Sequence, residues 1–189
     1  GKPAAMCLAL DQLETDTLSL QKAISSSSLR IYRSDDLVGA AIGGCLKNVY
    51  AIAVGLSDGL ELGDNARAAL ITRCLNEMIE LGFHLGARKD TFVGLSGVGD
   101  LIATCTGEWS RNRTFGQSLA RGQSAKAMIE GQKTVVEGYW ATKCFYRKSK
   151  EAGATAPVLE QVYRTLYEGS DPRNSVIELM SRGLKAEGS

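Results

Sequence analysis

The chain has 189 residues, of which 44% are apolar and 23% charged, the balance of a folded domain with a real core and not of a disordered one. That length holds one domain and a fragment of another, so an activity needing two full-sized domains is not expected to be complete here. Lys plus Arg is 22 against 21 for Asp plus Glu, with no long run of one sign, which argues against a nucleic-acid platform.

Cysteine usage narrows the class further. Cys7, Cys45, Cys74, Cys105 and Cys144 are odd in number, widely spaced and without a C-x-x-C pair, so neither a disulfide framework nor a zinc site is expected. Most lie in apolar helical contexts, where a thiol acts as a small hydrophobe, in keeping with a reducing cytoplasm. With His84 as the single histidine, a multi-histidine metal site is excluded. No stretch reaches 18 consecutive apolar residues and no signal-peptide pattern opens the chain, so a soluble protein with no membrane partner is expected. The opening Gly1-Lys2-Pro3 reads as a cut inside a longer polypeptide.

In chain order, the apolar run at residues 4–10 and the alternating run at 29–33 predict strands. Between them, residues 16–24 carry helical spacing with Asp16 as a cap, and Ser25 to Ser28 form a loop. Two strands are marginal alone, so this β-α-β unit is expected to belong to a larger sheet. From Ser34 onward strand signals stop. Ser34, Asp35 and Asp36 offer N-cap oxygens to a helix over 37–56 that is apolar on most of its surface. Gly39, Gly43 and Gly44 lie inside it, although each costs about 1 kcal/mol relative to alanine; a close backbone or a ligand would explain them. A second long helix is predicted from an Asp64 cap to about residue 85, with Leu70, Cys74 and Met78 on one line and Ile71, Leu75 and Ile79 beside it. Shorter helices are predicted at 101–105, 111–120, 124–129, 136–151, 158–167 and 175–181, with Gly107, Gly122, Gly131, Gly153 and Gly169 as stops. The fold class is mainly α: a short β-α-β unit over 1–33, then an all-helical domain over 34–189.

Several residues stand out chemically. Lys47 has apolar and small neighbours on nearly every side. Desolvation lowers an ammonium pKa and a nearby carboxylate raises it, so a lysine between those effects can act as a general acid or base. The helix pattern alone favours a snorkelling lysine at a helix edge. Asn48 could orient a substrate hydroxyl or cap an internal break. The segment 94–106 contains a G-x-G, but no strand precedes it and the third glycine is missing, so it is no dinucleotide fingerprint. What remains is a glycine-rich turn feeding a helix on which Asp100 and Thr104 share a face; Asp100 could equally be an N-cap. Ser110-Arg111-Asn112-Arg113 opens a helix with a hydroxyl at the cap and a guanidinium beside outward-facing N–H groups, which suits a phosphate. Arg113 reads as solvated. Glu137, in Val135-Val136-Glu137-Gly138 after the exposed 131–133 segment, fits an ordinary first-turn acid. His84 reads as a helix-end histidine. Together these give a titratable lysine, a carboxylate, a hydroxyl and an anion-suited helix start, a set fit for a small phosphorylated carbonyl or alcohol.

Leu46-Lys47-Asn48-Val49, then Gly97-Val98-Gly99-Asp100-Leu101-Ile102-Ala103-Thr104-Cys105, then Ser110-Arg111-Asn112-Arg113, in this order, resemble the NAD(P)-dependent glycerol-3-phosphate dehydrogenase family, most closely its bacterial type. The likeness extends through 58–65 and Glu137-Gly138 to essentially the whole chain. It implies that residues 1–33 are the end of an NAD(P)-binding Rossmann domain and 34–189 an all-helical C-terminal substrate and catalytic domain. The G-x-G-x-x-G of such a Rossmann domain is not in this sequence, so the chain is expected to carry the substrate half and to be inactive alone. The resemblance further implies Lys47 as general acid/base, with Asp100 holding and tuning it. Asn48, Thr104, Ser110, Arg111 and Asn112 would bind glycerol 3-phosphate or dihydroxyacetone phosphate; Arg111, Val135 and Glu137 would touch NAD or NADP. A homodimer is the assembly it allows, and phospholipid synthesis the process it feeds. Two other readings stay open: a helical dimerisation or association module, and the substrate domain of another β-hydroxyacid-type dehydrogenase.

Overall fold

The computed structural model describes residues 2–11, 15–131 and 135–180. Strands β1 (Ala4–Ala9) and β2 (Leu29–Ser34) pair in parallel, from Ala4 opposite Leu29 to Ala9 opposite Ser34. Helix α1 (Thr15–Ile24) makes the crossover that a parallel pair requires. It is held to β2 by Gln21 Nε2 donating to the Ile31 carbonyl (2.7 Å) and Arg33 Nη1 donating to Thr17 Oγ1 (2.8 Å). Met6, Leu18, Leu20, Ile24 and Tyr32 are exposed, the apolar surface that a wider α/β layer would cover.

The junction into the helical region turns on Asp36. Its Oδ1 accepts from the Gly39 N–H (2.8 Å), capping α2 (Leu37–Gly59), while Oδ2 accepts from the Arg88 N–H (2.9 Å) and Thr91 Oγ1 (2.6 Å). Burial pushes this carboxyl upward, but the hydrogen bonds from Thr91, Gly39 and Arg88 outweigh it and hold the pKa below the usual 3.8. A carboxyl lowered on folding contributes stability that is complete above its unfolded pKa and is lost as pH falls through the lowered native value. In Asp36→Asn, an amide would face two donors, so a loss of about 1–3 kcal/mol is expected at neutral pH. That deficit should shrink on acidification, and urea midpoints from about pH 6 to about pH 2.5 would show it; a constant deficit would contradict the assignment.

Helix α2 is the axis of the domain. Around it pack α3 (Gly63–His84), α4 (Asp100–Thr106), α5 (Arg111–Ala120), α7 (Glu137–Glu151) and α8 (Pro157–Tyr167), with α6 (Ala125–Gly131) and α9 (Pro172–Met180) further out. By length and composition α2 could cross a membrane, yet 56% of its most apolar window is buried inside this domain, the setting of a core helix. Leu46, Val49, Tyr50, Ile52 and Val54 are fully enclosed. The closest packing is against α5. A Cβ on Gly55 would lie 2.0 Å from the Arg113 carbonyl oxygen, and one on Gly116 would lie 2.2 Å from that of Ile52, so the bare backbones touch where the helices cross. Gly43 meets a second backbone, its Cβ position being 2.2 Å from the Ser96 carbonyl oxygen, whereas nothing lies within 4 Å of that at Gly44. The expectation of a close approach therefore holds for Gly43, and Gly44 faces open space.

Several element bounds differ from the sequence reading. Glu61 and Gly63 adopt left-handed φ values of 58° and 87°, so α3 starts at Gly63 with Leu62 as N-cap, and Asp64 bonds Arg67 Nη1 (2.6 Å) within the first turn instead of capping it. Pro172, preorganised for a first helical position, starts α9 earlier than residue 175; the expected end at Ser181 lies outside the described residues, as do Gln132 and Lys133. Gly131 is the last residue of α6 among the described residues. Only Cys74 and Cys105 are core thiols; Cys45 and Cys144 are exposed and Cys7 is half-buried, because an apolar neighbourhood in sequence does not fix which side of a helix faces inward. Burial pushes the Cys105 thiol up to about 12 and raises Cys74 well above its ordinary value. His84 ends α3, its Nδ1 bonding the Glu80 carbonyl (2.8 Å).

Candidate active site

Lys47 projects from α2 between the buried Leu46 and Val49, and its Nζ lies 2.6 Å from Asp100 Oδ2; the two side chains are 24% and 36% exposed. Asp100 is delivered by two short turns, a 3-10 turn (Lys89–Val93) and a π turn (Leu95–Gly99), the second pressed onto α2 at Gly43. It opens α4, but the N-cap is Gly99 and no side chain caps the helix. The carboxylate is therefore directed to the lysine and not to the helix end. Thr104 Oγ1 donates to the Asp100 carbonyl oxygen (2.7 Å) and stands 3.4 Å from Asp100 Oδ1.

Asn48 and Asn112 tie three helices together. Asn48 Nδ2 donates to the Gly44 carbonyl (3.2 Å), and its Oδ1 accepts from Asn112 Nδ2 (2.9 Å). Asn112 Oδ1 then accepts from the Gly138 N–H (2.9 Å) at the start of α7. The side chains next in sequence to Lys47 and Arg111 are thus bonded to each other, which sets the α2 and α5 backbones that carry the lysine and the guanidinium side by side. Ser110 is the N-cap of α5, its Oγ accepting from the Arg113 N–H (3.3 Å). Arg111 and Glu137 are the first residues of α5 and α7, and Arg111 Nη2 donates to Glu137 Oε1 at 2.8 Å across the gap, with side chains 52% and 48% exposed. Val135 is 61% exposed just before α7.

The solvated reading of Arg113 is overturned. Its Nε donates to Asp58 Oδ2 (2.6 Å), and Asp58, whose side chain is 6% exposed, also accepts from Arg67 Nε (2.7 Å) at Oδ1. An acid closing an apolar helix is the sequence signal that could have found this cluster, but its partners lie far away along the chain. Sequence reasoning also passed over Gly55 and Gly116, and over Trp109, 94% exposed directly before Ser110.

A buried central helix whose lysine meets a carboxylate, wrapped by helices and following a β-α-β unit, makes this an all-helical domain with an ion pair set on its central helix. The family model described as NAD-dependent glycerol-3-phosphate dehydrogenase C-terminus matches residues 36–177. The chain belongs to that family. It is 48% identical over 185 residues to the glycerol-3-phosphate dehydrogenase (NAD(P)+) of Syntrophotalea carbinolica, covering 98% of this chain and 55% of the relative. It is 44% identical over 188 residues to that of Vibrio parahaemolyticus, covering 100% and 54%. The 2.1 Å crystal structure of glycerol-3-phosphate dehydrogenase from Coxiella burnetii superposes with a TM-score of 0.90 at 39% identity, over 96% of this chain and 55% of that one. The glycerol-3-phosphate dehydrogenase of Saccharomyces cerevisiae gives 0.82 at 26% identity, over 96% and 55%. The chain thus spans about half the length of the curated relatives it matches.

Proposed function

We propose that, within a complete enzyme, this chain is the substrate half of an NAD(P)-dependent glycerol-3-phosphate dehydrogenase, interconverting dihydroxyacetone phosphate and sn-glycerol 3-phosphate for phospholipid synthesis. The observation that carries the reading is the 2.6 Å contact between Lys47 Nζ and Asp100 Oδ2 inside the family-matched segment. In the reducing direction the Lys47 ammonium donates a proton to the ketone oxygen as charge builds there, and in the oxidising direction the amine takes the hydroxyl proton back. Asp100 holds the ammonium at that point, and Thr104 packs on Asp100. Arg111 receives the phosphate with the N-terminus of α5, where Ser110 and Asn112 complete the pocket.

The donor set fits a dinucleotide on this side of the site: a guanidinium for phosphate oxygens, a Glu137 carboxylate for ribose hydroxyls and an exposed Val135 for a flat ring. Arg111, Val135 and Glu137 would hold the cofactor, and the chemistry a bound nicotinamide supplies is hydride exchange with the substrate's C2. The complete enzyme should reduce dihydroxyacetone phosphate with a kcat/KM at least about a thousandfold above that for dihydroxyacetone, because a site built for an anion is left unpaired without it. Equal use of the two, or preference for a carboxylate hydroxyacid, would contradict the reading.

A further inference from the structure

The Arg111–Glu137 pair poses a problem for phosphate binding, since the guanidinium that should take the substrate's anion is already engaged at 2.8 Å by a carboxylate. We infer that Glu137 sets the anion threshold of the site: it occupies Arg111 until a phosphate dianion displaces it, and it resists displacement by a carboxylate. The inference rests on the proposed function, because it takes Arg111 as the phosphate-binding group.

Three observations support the exchange. First, the pair is built in. Each member is one residue from the Asn112 Oδ1 to Gly138 N–H bond (2.9 Å) that locks the start of α5 to the start of α7, and a Cβ on Gly138 would lie 2.6 Å from the Asn48 carbonyl oxygen, so the two backbones are pinned. Glu137 is therefore tethered beside Arg111 at high effective concentration.

Second, the pair is displaceable. Both side chains are about half exposed, and an ion pair in that setting contributes little because water screens it and ordering two long side chains offsets the attraction. An incoming carboxylate offers Arg111 the same single charge and the same two oxygens that the tethered Glu137 already supplies, and must lose translational freedom to do so. A phosphate carries nearly twice the charge and three acceptor oxygens, with a further gain from the N–H groups of the α5 first turn.

Third, the displaced carboxylate keeps a favourable setting at its own helix start. Glu137 opens the 15-residue α7, whose N-cap Val136 supplies no side-chain acceptor, and the partial positive charge of a helix start favours an acid there even without Arg111. Release is thus cheap for the protein, and the balance is decided by the ligand's charge.

The test is calorimetric titration of the complete enzyme, without cofactor, using glycerol 3-phosphate and glycerate as probes. Glu137→Gln should tighten glycerate and glycerol 3-phosphate alike, each by roughly fivefold, the contribution of an exposed ion pair, because both ligands must displace the same carboxylate. Glu137→Ala, which leaves Arg111 without the carboxylate, should tighten both ligands in the same way. Unchanged or weaker binding of both ligands in the two variants would overturn the inference and make Glu137 a support for Arg111 instead of its competitor. If the unsubstituted enzyme does not bind glycerol 3-phosphate while remaining folded, the functional reading itself fails and takes this inference with it.

Discussion

Lys47→Ala in the complete enzyme is expected to lower kcat by two to four orders of magnitude, the usual contribution of a positioned proton donor, while the protein stays folded. The lysine is large for its surroundings, but its head and that of Asp100 keep contact with water, so losing the pair should change stability by no more than about 1 kcal/mol. Asp100 would be left without its ammonium, not buried and unpaired. Lys47→Arg separates two explanations of the loss. A guanidinium keeps the positive charge but does not give up its proton in proteins; if Lys47 moves a proton, the arginine variant is nearly as slow as alanine, and if it only supplies charge, much of the rate returns. Turnover with dihydroxyacetone phosphate and a thermal unfolding curve for each variant decide the matter. Unchanged turnover in Lys47→Ala would remove the lysine from the chemistry.

The largest expected loss of stability comes from Gly55→Ala. A methyl there would be placed 2.0 Å from the Arg113 carbonyl oxygen, and a backbone atom cannot swing aside as a side-chain end can. Helices α2 and α5 must part. That separation also strains the 2.6 Å Arg113–Asp58 bond and the 2.9 Å Asn48–Asn112 bond on either side of the crossing. A loss of about 3 kcal/mol is expected from overpacking of this kind, which lowers Tm by roughly 6–12 °C in a domain of this size. Gly44→Ala is the comparison: with nothing within 4 Å of the added methyl, helix propensity alone should leave stability unchanged or raise it by up to about 1 kcal/mol. Equal stability of the two variants would show that the α2–α5 crossing tolerates separation. Because α5 carries Ser110, Arg111 and Asn112, Gly55→Ala should also raise KM for the phosphorylated substrate.

These two positions mark how far the sequence could be read. Lys47 stood out because charge inside a run of small and apolar residues is rare, and α5 was bounded correctly because Ser110 is a cap and Gly122 a left-handed stop (φ 89°). The Lys47–Asp100 contact joins residues 53 apart in sequence; no local periodicity encodes it, and family resemblance alone pointed to it. Arg113 went astray for the same reason, since its acid lies 55 residues upstream and nothing nearby marks it as inward-facing. Gly55 and Gly116 carry no turn signal, because their role is to be small at one crossing point. Glu77 shows a signal that was present but unused: it interrupts the apolar stripe of Cys74, Met78 and Leu81, and its carboxylate accepts from the Val158 (2.7 Å) and Leu159 (2.8 Å) N–H groups at the start of α8. The start of α3 depended on two left-handed residues, Glu61 and Gly63, of which only the glycine is marked by its type.

The most direct measurement is a crystal structure of the complete enzyme with dihydroxyacetone phosphate bound. The ketone oxygen should lie about 3 Å from Lys47 Nζ, with the phosphate on the Arg111 guanidinium and the Glu137 carboxylate turned away. A substrate whose phosphate sits elsewhere, or whose ketone faces away from a solvent-directed Lys47, would contradict the assignment of this domain's chemistry.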